Sequence, residues 1–239
     1  TLVKTNFSGI GAALDSLGID QIHGVMWDLG VSSYQLDEKG RGFSYTAEAP
    51  LDMRMDQSAA FCAKDVVNGY SEAELIRVIR DYGEEKFAAR VARIICERRA
   101  EKPIETTSEL ADIVYQAIPA AARHKENQHP ARRTFQAIRI EVNGELDGLY
   151  DLVLKLTRRL KKGGRIVILT FQSLEDRIVK EAFRYMQSPC SCPSNFPVCV
   201  CGKKPEIEIV NRKPITASEE ELCDNSRSKC AKLRIAEKL

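Results

Sequence analysis

The segment LKKGGRIVILTFQSLED, residues 160–176, decides the fold class of this chain. Its centre, residues 165–171, is a nearly continuous β-branched and apolar run, typical of a parallel strand that is buried on both faces. Lys161–Gly164 predicts a turn before this strand, and Gln172-Ser173 predicts a polar loop after it. An apolar stripe over residues 149–160 predicts a preceding helix, and the acids after Ser173 suit the start of another. This order indicates an α/β fold with a doubly wound sheet.

A second strand is predicted in residues 21–36, QIHGVMWDLGVSSYQL, where the apolar stretch Val25–Trp27 runs into Asp28 and a glycine turn. Ligands of open α/β sheets lie just outside the carboxyl ends of the strands, so Asp28 stands where a cofactor-binding acid is expected. An acid that only caps its own turn explains the pattern equally well. The polar loop 31–37 that follows suits the binding of a base edge or an amino-acid moiety.

Helices dominate the middle of the chain. Ser71 with Glu74, and Thr106 with Glu109, form capping boxes ahead of helical apolar stripes, and residues 55–130 contain no convincing strand. We therefore predict a first core segment at 1–50 and an inserted all-helical domain at 51–133. The second core segment, 134–239, is predicted to be irregular from residue 186, apart from a strand at 207–210, and to end in a polar tail.

Composition sets the broad class. Hydrophobic residues make up 44% of the chain and charged residues 29%, which suits a folded domain with an ordinary surface. The net charge of +2 does not indicate a nucleic-acid-binding protein. Evidence for RNA binding must therefore come from local clusters of basic residues. The longest apolar run is too short to cross a bilayer. Eight cysteines are too few for a disulfide scaffold, so a reduced, cytoplasmic setting is expected.

Two basic clusters are candidates for RNA contact. Residues 123–139 hold five Lys or Arg against one acid, with His124 and His129 interleaved. Within them, Arg132, Gln136 and Arg139 recur at i, i+4 and i+7, which places two guanidiniums and an amide on one helical face. For this cluster, RNA binding and a solvated face are equally good interpretations. The second cluster, six basic residues within 154–165, is better explained as a solvated face.

Four cysteines fall within twelve residues as two Cys-x-Cys pairs, Cys190 with Cys192 and Cys199 with Cys201. Four thiolates could hold zinc, but structural zinc sites usually space each pair by two to four residues. Reduced thiols are therefore preferred, and no metal site is predicted.

Eight motifs together carry a family resemblance. They are DLGVSSYQLD (28–37), RGFSY (41–45), PLDMRMD (50–56), DVVNGYSEAEL (65–75), RRTFQAIRIEVNGEL (132–146), FQSLEDRIVK (171–180), FPVCVCGKKPE (196–206) and RKPIT (212–216). In this order they resemble the RsmH family, also called MraW, the 16S ribosomal RNA cytosine-N4 methyltransferases. The resemblance covers essentially the whole chain. It implies a Rossmann-like class I methyltransferase core with an inserted helical domain.

The resemblance also implies cofactor, substrate and site residues. S-adenosyl-L-methionine would be the donor, and a decoding-site cytosine of the small ribosomal subunit the acceptor. By motif match, Phe7 lies near the adenine, while Asp28 and Gln35 complete the cofactor-binding set. Asp28, Ser32 and Ser33 are the candidates for accepting the N–H of the cytosine amine, whose lone pair is otherwise delocalised into the ring. No motif sets the oligomeric state, and a homodimer stays open.

The chain departs from the family pattern in two places. The family's glycine-rich loop and its ribose-binding acid lie upstream of the position of Thr1, so we expect an N-terminally truncated core that binds the donor weakly. In addition, Gln172 stands where the family usually has histidine, and glutamine is no general base near neutral pH. Two rival hypotheses follow: a catalytically inactive remnant that keeps only RNA binding, and a small zinc-stabilised RNA-binding module.

Overall fold

The computed structural model describes residues 1–123, 129–193, 198 and 200–239. The chain divides into two compact units. One, here called the sheet unit, comprises Thr1–Gly30 and Leu146–Leu239; the other, the helical unit, comprises Val31–Glu145. No helix in the described residues is long and apolar enough to span a membrane.

Eleven α-helices and four strands are formed by the described residues. The helices are α1 (Ile10–Ser16), α2 (Ser33–Asp37), α3 (Ala63–Gly69), α4 (Glu72–Asp81), α5 (Ala88–Glu101), α6 (Thr107–Ala117), α7 (Ala120–Arg123), α8 (Arg132–Asn143), α9 (Leu149–Arg158), α10 (Ser173–Gln187) and α11 (Glu219–Asp224). The strands are β1 (Ile22–Asp28), β2 (Leu160–Thr170), β3 (Ile207–Ile209) and β4 (Lys232–Lys238).

The sheet unit is built on one four-stranded sheet in the order β1-β2-β4-β3. The two predicted strands are confirmed as β1 and β2, and they pair in parallel with Asp28 opposite Leu169. Helix α10 packs against α9 and against β2, β3 and β4. The core residues of this unit, among them Leu149, Ile166 and Phe183, come from these elements. The carboxyl ends of β1 and β2 therefore lie side by side at one edge of the sheet.

The prediction of an irregular polar tail was wrong. Residues 232–238 form β4, which pairs antiparallel with β2 on one side and with β3 on the other, so the sheet is mixed. The segment KLRIAEK contains four charged residues, which obscured the alternating strand pattern. One of these charges, Arg234, is buried because a carboxylate pairs with it.

The glycine pair before β2 lies inside the strand. β2 already begins at Leu160, and its register with β1 shifts between Ile22 and Gly24. Gly163 has φ +77°, and a Cβ on Gly164 would lie 2.7 Å from the carbonyl oxygen of His23. These glycines therefore form a bulge that brings β2 against β1, instead of the predicted turn.

The helical unit has its own core, which includes Leu75, Ile79, Ile95 and Ile138. Its described residues form one isolated bridge, between Pro50 and Thr106, but no strand, as predicted for residues 55–130. Both predicted capping boxes are confirmed, at Ser71 for α4 and at Thr106 for α6. The unit is larger than residues 51–133 because Val31, Leu36 and α8 pack on the same core. That it is an insertion into a methyltransferase core stays a prediction.

Candidate functional site

Asp28 is the last residue of β1, and it is exposed. Beyond it, the amide of Leu29 still donates to the carbonyl oxygen of Leu169 at 3.0 Å, which holds the chain against β2. Gly30 then turns with φ +92°. Within the described part of the chain, no hydrogen bond or ion pair engages the Asp28 side chain. Its carboxylate is thus held at the carboxyl edge of the sheet and remains available to a ligand.

Phe7 lies beside the same strand. Its ring packs in a tilted arrangement on Trp27, with 5.8 Å between the ring centroids. Trp27 is buried, whereas Phe7 keeps part of its surface exposed. An aromatic face and an exposed carboxylate on adjoining elements suit a ligand that has both an aromatic base and polar hydroxyl or amino groups, as an adenosine-based donor has. The residues present in the sheet unit therefore fit the implied cofactor.

The polar loop after β1 belongs to the helical unit, and it begins helix α2. Ser32 is the N-cap: its hydroxyl accepts from the amide of Gln35 at 3.3 Å, and the Gln35 side-chain oxygen accepts from the amide of Ser32 at 2.9 Å. Ser33 is the first helical residue and is exposed. Two of the residues predicted to contact cofactor or substrate therefore also cap a helix.

The carboxyl end of β2 carries a buried polar network. Gln172 precedes α10, and its side-chain nitrogen donates to Glu175 at 2.9 Å. Glu175 is almost fully buried and also accepts from the amides of Phe171 at 3.0 Å and Gln172 at 3.3 Å. The side chain at position 172, where the family usually has histidine, thus helps to hold the carboxylate that caps α10.

Asp176, one residue further, forms an ion pair with β4. Its two oxygens accept from Arg234 at 2.6 and 3.1 Å, and Lys232 lies 3.3 Å away. Burial by itself raises the pKa of Asp176, but the hydrogen bonds and charges of Arg234 and Lys232 outweigh it and hold this pKa below its ordinary value. This carboxylate therefore joins α10 to the sheet and is not free for chemistry.

The predicted RNA-binding face on α8 is partly engaged within the helical unit. Arg139 donates to both oxygens of Glu145, at 2.7 and 2.8 Å, and both side chains are largely buried. The Gln136 amide donates to the carbonyl oxygen of Tyr82 at 3.3 Å, and Arg132 is half-buried. Any phosphate at Arg139 would have to compete with Glu145. The neighbouring His124 lies outside the described residues, and His129 stacks on Tyr45 with 5.0 Å between ring centroids.

In the second basic cluster, three of the arginines form ion pairs. Arg158 pairs with Glu206, Arg159 with Asp15 and Arg165 with Glu237. These pairs favour the interpretation as a structural and solvated face.

Sequence reasoning missed a basic groove in the sheet unit. Lys180 and Arg184, one helical turn apart on α10, line it together with Arg212 and Lys213, and Arg234 lies among its lining residues. The first four are exposed, and no acid of the described residues lies within ion-pair distance of any of them. Lys180 and the Arg212-Lys213 pair lie within two of the quoted motifs, which was the signal available in the sequence.

The cysteine pairs are brought together as far as they are described. The sulfur atoms of Cys190, Cys192 and Cys201 all lie within 4.8 Å of one another. Cys199 lies outside the described residues.

Comparisons with known proteins agree over the full chain. The model of the MraW methylase family matches residues 1–239. A Clostridium botulinum (strain Loch Maree / Type A3) protein named ribosomal RNA small subunit methyltransferase H is 54% identical over 237 residues, which cover 99% of this chain and 76% of that protein. Proteins of the same name from Clostridioides difficile and Caldicellulosiruptor bescii are also 54% identical, over 99% and 100% of this chain and 76% of each relative.

Proposed function

This chain belongs to the MraW methylase family, and we propose that it methylates the N4 amine of a decoding-site cytosine in 16S ribosomal RNA. It is a methyltransferase, and S-adenosyl-L-methionine is its methyl donor. The observation that carries the choice of substrate is the similarity, over 99% of this chain, to relatives named for the small-subunit ribosomal RNA. The action of such an enzyme on ribosomal RNA would place it in the cytoplasm.

Phe7 and Asp28 are the residues of the sheet unit that are proposed to contact the donor. Phe7, supported by Trp27, would pack near the adenine, and the exposed carboxylate of Asp28 would accept hydrogen bonds from the donor. When bound, the donor supplies a methyl group on a positively charged sulfur. The Gln35 side-chain oxygen caps α2, so its amide nitrogen is the group left to donate to a ligand.

The proposed chemistry is assistance to a weak nucleophile. An acceptor placed at the N–H of the cytosine amine localises the nitrogen lone pair, and correct positioning supplies the rest. Asp28 is our first candidate, because it is a carboxylate with no partner in the described residues. The hydroxyls of Ser32 and Ser33 are the others. The target cytosine must be unstacked or single-stranded to reach these groups.

Two surfaces are proposed to contact the RNA backbone: the α8 face of Arg132, Gln136 and Arg139, and the basic groove. The groove is favoured by its four exposed cations, which have no acidic partner among the described residues. Each phosphate contact on a single strand contributes roughly 0.7 to the slope of log affinity against log salt. The variant Arg212→Ala/Lys213→Ala should lower the slope by roughly 1.4, and Arg132→Ala by at most roughly 0.7.

The test of the function uses the complete gene product, labelled donor and small ribosomal subunits from cells that lack this activity. We expect label on a single cytosine of 16S RNA, with N4-methylcytidine recovered after digestion to nucleosides. Label on another base, or on a carbon of cytosine, would contradict the chemistry proposed here. RNA binding without methyl transfer would favour the inactive-remnant alternative. Gel filtration with light scattering tests the homodimer separately.

A further inference from the structure

Three thiols converge in the loop between α10 and β3. The sulfur atoms of Cys190, Cys192 and Cys201 lie within 4.8 Å of one another, and the Cys190 and Cys201 sulfurs are 3.7 Å apart. In tetrahedral zinc sites the Zn–S distance is about 2.3 Å, so two sulfurs on the same ion lie about 3.8 Å apart. We propose that these three thiolates bind a structural zinc ion.

The separation of the sulfurs distinguishes this arrangement from a disulfide, in which they lie about 2.05 Å apart. A disulfide joins two sulfurs, whereas here a third sulfur lies at the same place. Soft thiolate ligands select zinc over hard cations such as magnesium or calcium. The described residues leave the fourth position of the tetrahedron unassigned, and Cys199 lies outside them.

The surrounding charge suits such an ion. Three thiolates and one Zn²⁺ carry a net charge of −1. Lys203 donates from its ammonium group to the hydroxyl of Ser191, 3.2 Å away, and Ser191 stands between Cys190 and Cys192. A positive charge is therefore fixed beside the cluster, where it offsets the excess negative charge.

The loop has exposed apolar residues in its described part. It leaves α10 after Gln187 and returns at Glu206, whose amide donates to the carbonyl oxygen of Met186 at 2.8 Å. Its described apolar residues Val198 and Val200 are 69% and 74% exposed, so they contribute no core there. Small segments without a core of their own are commonly held by metals or disulfides. A zinc ion bound by Cys190, Cys192 and Cys201 would join the outgoing and the returning segment of the loop near its base.

The Cys-x-Cys spacing does not exclude zinc in this loop. Zinc sites with wider pairs use both cysteines of each pair to chelate the ion, but a cysteine from elsewhere in the loop can supply a ligand as well. In the structure Cys201 comes from the returning side of the loop and meets the first pair, and Gly202, with φ +64°, turns the chain immediately afterwards.

The experiment measures metal directly and does not depend on methyl transfer. The chain is purified under reducing conditions from zinc-supplemented cells and analysed by elemental mass spectrometry. We expect one zinc per chain in the wild type and in the control Cys223→Ser, whose exposed thiol lies outside the cluster. Cys190→Ser and Cys201→Ser should each retain less than about a fifth of that zinc, because removal of one thiolate ligand weakens binding strongly.

Cobalt replacement provides a second readout that needs no variant. Removal of zinc followed by addition of Co²⁺ to the wild-type chain should give thiolate-to-cobalt charge-transfer absorption and the visible bands of tetrahedral cobalt. A wild-type chain that stays metal-free after zinc reconstitution with all thiols reduced would overturn the proposal. So would a Cys190–Cys201 disulfide in the native protein, or equal zinc in all the variants.

Discussion

Two strand-to-helix junctions of this protein are built alike and differ in exposure. β1 ends at Asp28, and the helix that follows in the chain is capped by Ser32 and Gln35. β2 ends at Thr170, and its helix is capped through Gln172 and Glu175. At the first junction the acid, Asp28, is exposed and has no partner in the described residues. At the second junction the acids, Glu175 and Asp176, are buried and hydrogen-bonded. The difference separates polar groups available to ligands from those that hold the fold together.

The largest effect is expected at the second junction. Asp176→Ala leaves the guanidinium of Arg234 buried without its main carboxylate partner. Removal of one member of a buried ion pair costs about 3–5 kcal/mol, so the free energy of unfolding should fall by about that amount. Urea unfolding measures it. The matched change Asp28→Ala, at the exposed acid, should alter stability by less than about 0.5 kcal/mol. Equal losses would erase the contrast between the junctions.

The ion pair between Asp176 and Arg234 also predicts how the free energy of unfolding depends on pH. Because the pKa of Asp176 is lowered in the folded protein, its contribution to stability is present above the unfolded-state pKa and is lost as the pH falls through the folded-state value. Asp176→Asn should therefore make unfolding less sensitive to acid than it is in the wild type. Unfolding curves at several acidic pH values test this, and parallel pH profiles for the two proteins would contradict it.

A smaller difference is expected between the two capping side chains. Glu175→Ala leaves the part-buried amide of Phe171 and the buried amide of Gln172 without their acceptor, at a cost of about 2 kcal/mol. Gln35→Ala exposes the amide of Ser32 to water, which replaces the lost bond, so the cost should be about 0.5 kcal/mol. Thermal unfolding of the two variants side by side measures the difference, and a reversed order would show that burial does not set the cost.

Much of the contrast between the junctions could not be predicted from sequence. The apolar runs located β1 and β2, and capping boxes located α4 and α6, because these signals are local. β4 was missed because it contains the buried charged residue Arg234. The ion-pair partner of Arg234 is Asp176, which lies 58 positions away in the sequence. The α8 arginine face was predicted from helical spacing, but spacing does not reveal that Glu145 lies against Arg139. Local sequence patterns predict where helices and strands lie. Ion pairs between residues that are distant in sequence determine which charged side chains remain available to ligands.

The smallest effect is expected at position 172. Gln172→His restores the residue that the family usually carries there. Since Gln172 is buried and bonded to Glu175, we expect the rate of methyl transfer by the complete gene product to change by less than about twofold, or about 0.4 kcal/mol. A rise of tenfold or more at neutral pH would show that this side chain takes part in the chemistry.

The most direct test of the account compares Asp28→Asn with Ser33→Ala in the complete gene product, in methyl-transfer assays at limiting and at saturating donor. Asparagine keeps the shape of the side chain but removes its charge. A hydrogen bond to a charged group contributes roughly 1.5–3 kcal/mol, so a tenfold to hundredfold loss is predicted for Asp28→Asn and a much smaller one for Ser33→Ala. If saturating donor restores the maximal rate, Asp28 binds the donor only; if the rate stays low, Asp28 also acts on the cytosine amine. Full activity of Asp28→Asn under both conditions would contradict the assignment of the site to the end of β1.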